Sequence, residues 1–115
     1  MYRDQKVGGV MGFFSDLFKM DPEVIFQMAQ TAELFHGDYE KAARLYQKAA
    51  NNGHLEAKYN LAHMYYSQRG VMVTDSDTCD SIGWGLMKEA AAGGFPQAVD
   101  FVQSIEKVRS ESQRA

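Results

Sequence analysis

The chain has 115 residues, 45% hydrophobic and 23% charged, the balance of an ordinary globular domain. A chain of this size buries about two-thirds of its unfolded surface on folding, enough for one domain and not for two. Twelve basic against fifteen acidic residues give a net charge of −3 with no basic patch, which argues against a nucleic-acid partner. The single cysteine, Cys79, excludes an internal disulfide framework.

An apolar stretch from Val7 to Phe14 opens the chain, broken by Gly8, Gly9 and Gly12 and ended by Ser15 and Asp16. It is too short to span a bilayer, which takes about 20 residues. No small-residue cleavage site follows it, so the expected compartment is the cytoplasm. Residues 1–20 read as a leader entering a short amphipathic helix, with residues 1–10 expected outside the folded unit. Phe13, Phe14, Leu17 and Phe18 form one apolar face, expected to cover an end of the fold or to mediate self-association. Only Lys6 and Lys19 flank it, which argues against a membrane anchor.

Helical punctuation is strong after residue 20. Asp21-Pro22-Glu23 reads as an N-cap, a proline at the first helical position and an early acid. Val24, Ile25, Met28, Ala29, Ala32 and Phe35 follow at helical spacing. Gly37-Asp38 ends that helix and caps a second, predicted over residues 39–52 on Ala42, Ala43, Leu45, Tyr46, Ala49 and Ala50. Gly53 stands where a helix end wants a left-handed residue. A third helix is predicted over residues 55–68, ended by Gly70, and a loop over residues 71–78. A fourth runs from about Asp80 to Ala92 and stops at Gly93-Gly94. Pro96 opens a fifth with Ala98, Phe101, Val102, Ile105 and Val108, and the polar residues 109–115 are expected to fray. No segment alternates with period two between hairpin turns, so no strand is predicted.

Residues 48–57 align with residues 89–98, Ala49 falling on Ala90 at an offset of 41. The shared core is Ala-Ala-x-x-Gly-x-x-x-Ala, with Leu45 matched to Leu86 and Leu61 to Val102. Paired alanines at a helix end let two helices approach closely, and the glycine turns the chain without a Cβ penalty. The pattern predicts an all-α solenoid: about two helix-turn-helix repeats over residues 21–108 with a fifth, capping helix. Ala49, Ala50, Ala90 and Ala91 are expected in close helix contacts.

Ala57 to Tyr66 resembles the first helix of tetratricopeptide-type repeats, and Gly37 to Ala42 is similar to their inter-helix turn. The Lys-Ala-Ala-x-x-Gly-x-x-x-Ala ending looks more like the related Sel-1-like repeat. Ala62 replaces the family's usual glycine, and Leu86-Met87 its usual Trp-Tyr. The resemblance implies a concave groove lined by the first helix of each pair, binding a peptide or helix of another protein. In that register Leu61, Ala62 and Tyr65 enter the core. Tyr59, His63 and Tyr66 face the groove, with Glu56 at its edge. Helix five contributes Asp100, Ser104 and Lys107, and helix one Gln27 and Thr31. Exposed solenoid ends would also permit a homodimer. Relatives of the Sel-1-like type include toxin-neutralising and effector-regulating proteins, so a small bacterial immunity protein is the alternative role. A hydrolase-like enzyme is the third, but the paired cysteines of that subgroup are absent.

The residues themselves offer little chemistry. His36 and His54 lie at turns, outside any zinc-binding spacing. Asp75, Asp77 and Asp80 lack the glycine and glutamate of a calcium loop and read as a helix cap. Cys79 has no nucleophile motif, and Gly83-Trp84-Gly85 reads as close helix packing around a large ring. No cofactor, metal or catalytic residue is expected.

Overall fold

A computed structural model of the chain describes residues 20–114. Residues 1–19 of the leader, with the Phe13–Phe18 face, lie outside these residues. Five helices make up the described chain: α1 (Pro22–Leu34), α2 (Tyr39–Asn51), α3 (Leu55–Ser67), α4 (Ser76–Ala92) and α5 (Pro96–Arg114). Each packs on its successor, so the fold is an all-α repeat arrangement of two helix pairs followed by a fifth helix.

Local chemistry sets the helix boundaries. Asp21, Asp38 and Asp75 each occupy an N-cap and accept a backbone N–H of the first turn, a bond that typically adds about 1 kcal/mol of stability. Gly53 (φ 89°) and Gly70 (φ 73°) turn the chain where a side chain would be strained. Gly70 also presses on the Tyr39 backbone carbonyl, leaving no room for a Cβ. The α3 end is less orthodox, because Gln68 itself holds a left-handed conformation (φ 54°).

Two cores result. The first joins α1, α2 and one side of α3 around Ile25, Phe26, Tyr46, Leu61 and Met64, with alanines filling the close contacts. The second is smaller. Ala62, Met87, Ala90 and Ala98 are its buried residues, fringed by half-buried Tyr59, Tyr66, Phe95, Phe101 and Val102. Ala49 and Ala90, the matched alanines of the two repeats, are both fully buried. Leu61 and Ala62 enter the cores as the register requires, and Tyr65 packs half-buried against the first.

Several boundaries and burials differ from expectation. Helix α4 begins at Ser76 rather than near Asp80, because Asp75 is the cap. Helix α5 continues to Arg114 instead of fraying after Val108. The Arg109 guanidinium lies 4.7 Å over the Trp84 ring and ties the extension down. Met20, assigned to the leader, packs on the first core. Phe35 is 82% exposed, because α1 ends at Leu34 and Phe35 lines up with the exposed Val24 and Met28 beside, not on, the buried stripe of Ile25, Ala29 and Ala32. Tyr39 and Val108 are exposed, and Ala91 is half-buried rather than enclosed.

Candidate functional site

Helix α3 stands between α1 and α5 and offers a different edge to each. Toward α5 its residues Tyr59, His63 and Tyr66, at i, i+4 and i+7, form one stripe. Tyr59 meets Phe95 with ring centroids 5.2 Å apart, and Tyr66 stacks on Phe101 at 5.8 Å. His63 lies between them, edge-on to Tyr59 at 4.6 Å and to Phe101 at 6.0 Å. This setting strips water from the ring and lowers the His63 pKa from the ordinary histidine range. The outer side of His63 stays exposed. Burial raises the Tyr66 pKa, the Asp80 carboxylate adds to the shift, and Arg109 opposes it.

Tyr66 sits where it does because of Gly83 on α4. A Cβ there would stand 2.8 Å from the Tyr66 ring. The close packing expected around Gly83-Trp84-Gly85 thus accommodates Tyr66 rather than Trp84. Trp84 carries Arg109 and, at 5.7 Å, Lys88 over its ring.

Hollows open along the edges of α3 and α5. One of about 470 Å³ lies beside the aromatic seam, lined by Tyr59, Gln97, Asp100, Phe101, Ser104 and Ile105. One of about 280 Å³ is lined by Tyr66, Asp80, Trp84, Phe101, Ile105 and Arg109. Another, of about 170 Å³, opens between α1 and α3 and is lined by Gln30, Glu33, Leu34, Tyr46, Asn60, His63, Met64 and Arg69. At its base the Tyr46 hydroxyl donates to Glu33 Oε1 at 2.7 Å. Burial, and the charge of Glu33 as acceptor, push the Tyr46 pKa far above the usual phenol range, while Asn60 bonded to the same hydroxyl works the other way.

The structure gathers part of the expected residue set. Tyr59, Asp100 and Ser104 line one hollow, and His63 and Tyr66 border the other two. Glu56 is half-buried and its charge reaches Tyr46. Lys107 is exposed on α5, one helical turn beyond Ser104. Gln27 is exposed on α1 and donates to Glu23. Thr31 does not join this surface. It lines a separate hollow with Met28, Ala32, His36 and Lys41, and its hydroxyl donates to the Gln27 carbonyl at 3.0 Å. Sequence reasoning missed Glu33, Asn60 and Arg69, whose spacing shows no pattern, and treated Tyr46, Phe95 and Phe101 simply as core or helical apolar positions.

Other candidates resolve into structural roles. His54 caps α3, its Nδ1 accepting the Ala57 N–H at 3.1 Å while Nε2 meets Glu23 Oε1 at 2.7 Å. The ring stacks on Phe26 at 4.4 Å. Asp75 accepts both the Thr78 hydroxyl at 2.6 Å and the Thr78 backbone N–H at 2.9 Å, which hold its pKa below the usual carboxylate range. Cys79 is fully buried, and its thiol donates to the Val73 carbonyl. Among the described residues no cluster of His, Cys, Asp and Glu is placed to hold a metal, and no helix is long and apolar enough to cross a membrane.

Comparison with family models, curated proteins and solved structures returned no match.

Proposed function

We propose that the chain is a non-enzymatic protein-binding module of the Sel-1-like or tetratricopeptide-like type, working in the cytoplasm. The surface formed by α1, α3 and α5 takes a peptide or a helix of a partner protein. The observation that carries this is the hollow of about 470 Å³ between α3 and α5. It sets aromatic area from Tyr59 and Phe101 beside the polar tips of Asp100, Ser104 and Gln97. Aromatic rings with hydrogen-bonding neighbours are the usual make-up of a protein-recognition hot spot.

The test selects binders from a displayed library of short peptides and measures them against the parent and Ser104→Trp. Ser104 is exposed, so the new ring fills the hollow without emptying the core. Binding should fall at least tenfold while the melting temperature holds. Equal binding by parent and variant would refute the groove.

A further inference from the structure

The hollow between α1 and α3 has a chemistry of its own. We infer that it is a receptor for one basic side chain, a lysine or arginine, of the segment bound in the groove. This site presupposes the groove proposed above and gives it a selectivity.

Glu33 supplies the hollow's carboxylate. Its Oε1 accepts the Tyr46 hydroxyl proton at 2.7 Å, which orients the carboxylate and leaves Oε2 with its acceptor capacity. Tyr46 is fully buried, and its hydroxyl is engaged by Glu33 and Asn60, so the carboxylate stands on a fixed support. The ion pairs among the described residues, His54 with Glu23 and Lys58 with Glu89, leave Glu33 without a cation. Arg69 is the hollow's own basic residue, but its side chain is drawn elsewhere. Its guanidinium carbon lies 4.9 Å from the Tyr39 ring centroid, and Nε donates to Ser67 Oγ at 3.4 Å.

The remaining walls fit the same guest. Leu34, 69% exposed, offers apolar surface to a methylene stem, the part of a basic side chain that packs while its head stays polar. Glu56, one turn before Asn60 on α3, adds negative charge that is felt at the Tyr46 hydroxyl. A cavity of about 150 Å³ accepts a benzene-sized guest. The hollow's 170 Å³ therefore has room for a guanidinium and its adjoining methylenes.

The test uses the full chain and a small probe, n-butylguanidinium, followed by amide chemical shifts. Its neutral analogue n-butylurea and the anion n-butyrate serve as comparisons. The cation should shift Glu33, Asn60 and Leu34, and should bind at least tenfold more tightly than either comparison. Glu33→Gln keeps an oxygen to accept the Tyr46 proton, so the fold should stand. Cation binding should nevertheless drop at least tenfold. Arg69→Ala should not weaken it. Equal binding of the urea, preference for the butyrate, unchanged binding by Glu33→Gln, shifts elsewhere, or no binding would each overturn the site. The two proposals fail separately. Peptide binding that is lost in Ser104→Trp, with no response to the cation, removes this site and keeps the groove. A cation response lost in Glu33→Gln, with peptide binding indifferent to Ser104→Trp, removes the groove and keeps a cation site.

Discussion

Between α1 and α3 the gap is polar, floored by the Tyr46–Glu33 hydrogen bond and walled by Gln30, Asn60 and Arg69. Between α3 and α5 the equivalent gap is aromatic, closed by Tyr59 on Phe95 and Tyr66 on Phe101. Both junctions use the same alanine-glycine turn at an offset of 41 residues. The repeat backbone therefore sets how the helices stack, and the residues outside the repeat pattern set what each edge can contact. The first core holds its large side chains fully enclosed, whereas the second keeps its aromatics at half-burial.

That contrast can be broken by mutation. Tyr46→Ala should have the largest effect, about 3–5 kcal/mol in denaturant unfolding, because it empties a fully enclosed site. Tyr59→Ala should lose only about 1–2 kcal/mol, since a half-buried ring gives back only part of its transfer free energy. Similar losses from the two would erase the distinction between the cores. Ala90→Leu should cost about 1–3 kcal/mol by overpacking the α4 contact, and its repeat partner Ala49→Leu should cost a similar amount. A loss below about 0.5 kcal/mol at either site would contradict the close approach of helices there.

The smallest effect is on pH dependence. Burial lowers the folded His63 pKa, so on acidification the unfolded chain takes up that proton first. This contribution is complete above the ordinary histidine value of about 6.5 and declines as pH falls through it toward the folded value. Glu23, lowered chiefly by its hydrogen bond to His54, and Asp75, lowered by Thr78, act further down. Their contributions are present above the ordinary carboxylate range, about 4, and are lost as pH falls below it. Melting temperatures from pH 8 to pH 3 should therefore decline shallowly in two stages, and His63→Gln should remove the first. A first stage that persists in His63→Gln would show that another group titrates there.

Helix content was legible because it rests on local rules. Asp21, Asp38, Gly53 and the alanine pairs mark ends and contacts within a few residues. The early start of α4 escaped because three aspartates compete for one cap, and only Asp75 has Thr78 placed to donate. The extension of α5 escaped because its anchor is Trp84, distant in sequence from Arg109. The stripe Tyr59, His63, Tyr66 could be read from helical spacing, but its engagement by Phe95 and Phe101 could not. Glu33 and Tyr46 were invisible as a pair, since 13 residues and a helix turn separate them.

The proposed binding of a partner segment on the surface made by α1, α3 and α5 can be read residue by residue. Amide chemical-shift mapping with a library-selected peptide tests it most directly. Shifts should appear at Tyr59, His63, Asp100 and Ser104, with α2 and the exposed side of α4 around Lys88 unchanged. Shifts confined to α2 and to the Lys88 side of α4, with Asp100 and Ser104 silent, would contradict it.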